Sequence, residues 1–199
     1  METSLDWNIA LFHSLNAAAL PTPVILWVVE FFAQGTPYLA LGILAFVWFF
    51  GGPVQRRSLM ISGVALALGL TVNFAIAAAI YVPRPFEAGI GHSYLAHTLE
   101  TSFPSDHATF LWSLGLGLLI APALRWTGLF IFLVGIATAW ARVFLGVHFP
   151  LDMLASFAIS LLAALTAFAI RGPLDRIFFQ PIEKLYLKIC TYVFRWPSV

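Results

Sequence analysis

Apolar residues dominate this chain in long runs near 20–34, 37–52, 58–81, 106–122, 127–145 and 152–170, broken by Gly, Pro and charge. A helix needs about 20 mostly apolar residues to cross a bilayer, so the pattern predicts an all-α, polytopic membrane protein with about six transmembrane helices. Only Gln34-Gly35-Thr36-Pro37 separates the first two runs, and that turn predicts a tight antiparallel pair. Ahead of them, Leu5, Ile9, Leu11, Leu15 and Ala18 fall near helical spacing with Asp6, Asn8 and His13 between, which predicts an amphipathic helix lying on the membrane surface. Residues 173–196 mix Arg176, Lys184 and Lys188 with Ile177, Phe178, Leu185 and Tyr186, and predict a second interfacial helix.

Composition agrees. Of 199 residues, 61% are hydrophobic and 10% charged, against about 25% charged in soluble domains. Residues 1–20 carry Glu2 and Asp6 but no Lys or Arg, so they are not expected to act as a cleavable signal peptide. A single cysteine, Cys190, excludes an internal disulfide and offers no thiol-based metal site. The net charge of +1 gives no reason for a nucleic-acid partner. No linker, repeat or low-complexity tract divides the chain, and residues 1–199 read as one domain.

Basic residues fix the expected orientation, because Lys and Arg accumulate in cytoplasmic loops. Under the six-span reading, Arg56, Arg57, Arg125, Arg171, Arg176, Lys184, Lys188 and Arg195 share one side with both termini, which makes that side cytoplasmic. Arg84 and Arg142 fall on the opposite, extracytoplasmic face.

Those two arginines belong to three polar clusters: Pro83-Arg84-Pro85, Pro104-Ser105-Asp106-His107, and Arg142 to Asp152 with His148 between. A charged residue inside a membrane costs about 2.5–3.5 kcal/mol on insertion scales, so such a gathering points to function. Two guanidinium forks in an apolar setting suit phosphate or carboxylate. Ser105 is placed like a helix N-cap, where free N–H groups and the helix dipole favour an anion. His148 and Asp152 are four residues apart; with Pro150 in the first helical turn, the carboxylate reaches back and fixes the imidazole tautomer. An oriented neutral histidine can attack phosphorus, and His107 is free to protonate a leaving oxygen.

In order and spacing these three motifs resemble the type 2 phosphatidic acid phosphatase superfamily, over about residues 73–156. The resemblance implies that His148 is a nucleophile forming a phosphohistidine, Asp152 its orienting partner and His107 the general acid. It also implies phosphate binding by Arg84, Ser105 and Arg142, without metal or cofactor. Asp106, where many members have Gly, is kept as a secondary residue of the phosphate-binding set. The family Lys seven positions before Arg84 is Ala77 here, and the Ser usually preceding Arg142 is Ala141. Pro-Ser-Asp-His and Gly146-Val147-His148-Phe149-Pro150-Leu151-Asp152 look like the bacitracin-resistance type, which acts on undecaprenyl pyrophosphate. That implies a polyprenyl pyrophosphate as substrate partner, met among membrane lipids at the outer face of a bacterial plasma membrane, in recycling the cell-wall lipid carrier. Phosphatidic acid or phosphatidylglycerol phosphate is the alternative substrate within the enzyme class, and a lipid or anion transporter the alternative outside it. Glu30, within the first apolar run, is a candidate substrate contact. Glu87, His92, His97 and Glu100, in the loop from 86 to 103, read as solvated loop residues, with contact to the distal phosphate or a part in a lid as the alternative.

Overall fold

The computed structural model describes residues 6–95 and 100–194, so His97 and Arg195 lie outside the described residues. Among those described, all regular structure is helical. In chain order the helices are α1 (Asp6–Leu15), α2 (Pro23–Phe50), α3 (Pro53–Ala79), α4 (Asp106–Ile120), α5 (Arg125–Phe144), α6 (Pro150–Ala169) and α7 (Gln180–Phe194). A short helical turn (Arg171–Leu174) and a π-turn (Asp175–Phe179) join α6 to α7.

Four of these helices, α2, α3, α5 and α6, are long and apolar enough to cross a membrane. Large apolar side chains such as Val24, Trp27, Phe46, Phe74 and Leu162 are exposed on their outer faces, as expected where lipid replaces water. The protein is an integral membrane protein. The shorter helix α4 is the hub, packed against α3, α5 and α6, and Ala108, Leu111, Leu114 and Leu118 along it are buried. Small residues allow the close approach: a Cβ at Gly115 would lie 2.8 Å from the Phe132 nitrogen of α5, and one at Gly117 2.8 Å from Ser62 Cα of α3. Both glycines therefore serve contacts within the chain.

The expected pair of helices at 20–34 and 37–52 is corrected by the structure. The chain runs straight through Gln34-Gly35-Thr36-Pro37 as one helix of 28 residues, α2, with a π-turn at Phe31–Gly35. Pro37 has no N–H for the carbonyl four residues earlier, that of Ala33. A tertiary partner makes up the loss instead of a chain reversal: Arg142 Nη1 donates to Ala33 O at 3.1 Å. Beside it the Thr36 hydroxyl bonds Phe32 O at 3.0 Å and meets Thr138 Oγ1 of α5 at 2.8 Å.

Helix α1 docks at the end that carries the polar clusters, where Asn8 Oδ1 accepts from Leu151 N at 2.9 Å and the Asn16 amide donates to Phe144 O at 3.0 Å. Helix α7 and the π-turn before it dock at the other end, through Arg57–Asp175 at 3.1 Å, Arg56–Glu183 at 3.9 Å and the edge of Tyr186 on Trp48. The two terminal helices, α1 and α7, thus dock at opposite ends of the bundle.

Candidate active site

Four segments meet at the α1 end of the bundle: the loop after α3, the start of α4, the last turn of α5 and the loop leading into α6. They bring Arg84, Ser105, Asp106, His107, Arg142, His148 and Asp152 together. The loop before α6 turns on Gly146, whose φ of 78° lies in the left-handed region and whose missing Cβ would collide with the His92 carbonyl. That turn folds His148 back under Arg142.

His148 is 1% exposed, and each ring nitrogen has its own kind of partner. Nδ1 lies 3.2 Å from Asp152 Oδ2, while Nε2 lies 3.0 Å from Arg142 Nη2 and 3.4 Å from Arg84 Nη1. Guanidinium groups only donate and an ionised carboxylate only accepts, so the network places the proton on Nδ1 and a lone pair on Nε2. Asp152 is itself held, its Oδ2 accepting from Phe149 N at 2.8 Å and from the Ser102 hydroxyl. One carboxylate therefore orders the first turn of α6 and orients the imidazole.

Burial, followed by the charge of Arg142, pulls the His148 pKa down to about 4, against the opposing bond to Asp152. An unfolded histidine titrates near 6.5, so between these values the unfolded chain holds more protons and stability rises with pH. This contribution is present above pH about 6.5 and is lost as pH falls towards 4. The thermal midpoint in detergent is expected to drop on acidification through that window, with a limit of about 1.4 kcal/mol per pH unit from this group. His148→Gln should flatten the slope; an unchanged slope would contradict the neutral, buried imidazole.

Arg84 is fastened by three backbone carbonyls: Nε donates to Glu100 O at 3.1 Å, Nη1 to Val147 O at 3.0 Å and Nη2 to Thr101 O at 3.3 Å. Arg142 is 1% exposed and bridges Ala33 O to His148 Nε2. Ser105 stands at the N-cap of α4, yet its hydroxyl makes no capping bond and is buried without a partner among the described residues. A hydroxyl so placed at a helix N-terminus is ready to donate to an anion. Asp106 and His107 form the open side, their side chains 50% and 27% exposed.

Glu30 stays on α2, half-buried, and among the described residues no hydrogen bond or ion pair joins it to the cluster. Glu87 takes a local role, accepting from Tyr81 Oη at 2.6 Å and Arg84 N at 3.4 Å. His92 serves α1 through its backbone, its N–H donating to Asn16 Oδ1 and its carbonyl accepting from the Asn16 amide, each at 2.8 Å. Ala77 is half-buried in the last turn of α3, and Ala141 packs in a small core with Ala33 and Val147.

Sequence reasoning missed Ser102 and the carbonyls of Ala33 and Val147. Ser102 carried no signal beyond lying three residues before Ser105, and backbone carbonyls carry none. Nor did it find the polar seam beneath Ser105, where Asn73 donates to Thr109 Oγ1 at 2.9 Å and Ser160 to Thr109 O at 3.2 Å, tying α3 and α6 to the hub helix.

A buried carboxylate–imidazole pair beneath two guanidinium groups, at one end of an apolar helical bundle, is the arrangement implied by the resemblance of the motifs. Residues 58–176 match the family described as the PAP2 superfamily, and the chain belongs to it. Within that class it is similar to the Putative undecaprenyl-diphosphatase YbjG of Escherichia coli (strain K12), 30% identical over 183 residues, 92% of this chain and 91% of that protein. Undecaprenyl-diphosphatase BcrC of Bacillus subtilis (strain 168) is 25% identical over 191 residues, 96% of this chain and 97% of that protein. A third relative, named Bacitracin transport permease protein BcrC, of Bacillus licheniformis, is 28% identical over 188 residues, covering 92% and 89%. The crystal structure of Aquifex aeolicus LpxE superposes with a TM-score of 0.69 over 85% of this chain and 99% of that one; at 20% identity this speaks for the fold alone.

Proposed function

We propose that this protein hydrolyses undecaprenyl pyrophosphate to undecaprenyl phosphate and inorganic phosphate through a phosphohistidine, without a metal. The observation that carries the reading is the Nε2 lone pair of His148 held between Arg84 and Arg142. Nε2 attacks the terminal phosphorus, the bond from phosphorus to the bridging oxygen breaks, and His107 gives a proton to the departing lipid phosphate. Water, losing a proton to His107, then attacks the phosphohistidine, releasing phosphate and restoring His148. Arg84, Arg142, the Ser105 hydroxyl and the N-terminus of α4 neutralise the equatorial oxygens, which is most of what phosphoryl transfer asks of a protein. Asp152 holds the tautomer. The names of the relatives from E. coli and B. subtilis support the substrate.

In this reading residues 1–199 act as one domain that crosses the bacterial plasma membrane five times, by α2 to α6. The end rich in Arg56, Arg57, Arg125, Arg171 and Lys184 faces the cytoplasm. The site then faces outwards beneath α1, where the spent lipid carrier is recycled, and α7 lies on the cytoplasmic face.

The test is phosphate release by detergent-solubilised protein given undecaprenyl pyrophosphate, phosphatidic acid and phosphatidylglycerol phosphate side by side, with excess chelator present. Turnover is expected on the pyrophosphate by at least tenfold in kcat/KM over either monoester, with inhibition by vanadate, whose five-coordinate form resembles the transition state. A preference for either monoester lipid overturns the substrate assignment. One relative carries a transport name; absence of phosphate release from all three lipids in micelles, where no gradient exists, would favour translocation here.

A further inference from the structure

Asp106 was the least explained residue of the sequence motifs, because a carboxylate beside a phosphate seat should repel the substrate. The structure shows where that carboxylate is engaged. Its Oδ1 accepts from the His107 backbone N–H at 2.8 Å and lies 2.9 Å from His107 Nδ1. The same oxygen lies 4.0 Å from Arg142 Nη2, the nitrogen that donates to His148 Nε2.

The geometry points to Asp106 as the positioning residue of His107, fixing the ring so that Nε2 meets the leaving oxygen. This rests on the reading of His107 as the acid in the proposed reaction. An ionised carboxylate only accepts, so a proton occupies Nδ1 of His107 and Nε2 is the atom left for substrate. Two bonds to one oxygen, one from the backbone and one from the ring, fix the imidazole relative to the first turn of α4. The pairing repeats that of Asp152 with His148, where a carboxylate also meets Nδ1. The two dyads differ in what faces Nε2: for His148 it is a pair of guanidinium groups, whereas His107 sits on the open side of the site. Arg142 spans the gap between the dyads, so a single guanidinium sets the spacing of acid and nucleophile.

The experiment is a double-mutant cycle on the full chain in detergent with undecaprenyl pyrophosphate, measuring kcat and KM for the native protein, Asp106→Ala, Asp106→Asn, His107→Ala and Asp106→Ala/His107→Ala. General acid catalysis contributes about 10²–10⁴-fold, and loss of its positioning partner should lower kcat about 10–100-fold with KM within about threefold. Asp106→Asn, which keeps an acceptor oxygen, should recover part of that loss. In the His107→Ala background, Asp106→Ala should cost no more than about threefold, because residues acting through one another are not additive. Thermal midpoints in the same detergent separate these losses from unfolding. Additive losses, or a change confined to KM, would overturn the positioning role while leaving the acid in place. Normal turnover by His107→Ala would overturn the acid assignment and the inference with it. If the native protein releases no phosphate from this lipid, the proposed function itself falls first.

Discussion

Replacing His148 by Ala is expected to lower phosphate release from undecaprenyl pyrophosphate by roughly 10⁴–10⁶-fold, the scale on which removal of a nucleophile is felt in enzymes whose catalytic groups act as a unit. No other described side chain can take over. Nε2, the proposed nucleophile, is the atom that Arg84 and Arg142 both face, and its tautomer is set by Asp152 on the far side of the ring. The variant leaves the phosphate seat in place, so lipid binding should persist while turnover vanishes, and KM-independent loss of kcat is the signature. A second readout is covalent. After a quench, the native protein should carry phosphate that is labile to acid and stable to base, and the His148→Ala protein should carry none. Normal turnover by a folded His148→Ala protein would remove the mechanism.

Arg142→Lys is expected to cost about 10³-fold in kcat/KM despite keeping the charge, at the lower end of what arginines on transferring phosphoryl groups contribute. The reason is shape. Nη1 of Arg142 donates to Ala33 O while Nη2 reaches His148 Nε2, and only a planar fork delivers both from one buried position. An ammonium is a single point that must leave one partner unserved. Because Pro37 has no N–H to offer the Ala33 carbonyl, the substitution also loosens α2 at its π-turn. Arg142→Ala should add a loss of stability of about 3–5 kcal/mol, typical of breaking a buried charge network. Comparing thermal midpoints of the two variants in detergent separates the contributions. A Lys variant with native kcat/KM would show that charge alone suffices at this position.

Much of the site was legible in the sequence because the apolar background made it so. In a chain with 10% charged residues, Arg84, His107, Arg142, His148 and Asp152 stand out at or beside the ends of the apolar runs, and the cost of placing charge there leaves few uses other than binding and chemistry. Their order was enough to propose roles, since i to i+4 spacing on a helix entry already pairs His148 with Asp152. Ser102 escaped because its contact with Asp152 spans 50 residues of sequence and a lone serine before a Phe-Pro pair is unremarked in any pattern. Glu30 was singled out by the same cost argument, and its role as a substrate contact rests on that argument alone.

The sequence by itself determined that the chain is a helical membrane protein, that its basic residues divide between two ends, and which polar residues gather at one of them. Those features depend on hydropathy and on fixed short spacings, which act locally. Only the tertiary structure decided that Gly35-Thr36-Pro37 continues a helix, that α1 and α7 therefore lie at opposite ends, and that Asp106 turns to His107. A proline announces a missing hydrogen bond but not whether a neighbour will replace it, and here the partner, Arg142, arrives from 109 residues away. Continuity, sidedness and side-chain direction were thus set by long-range contacts that no local pattern encodes.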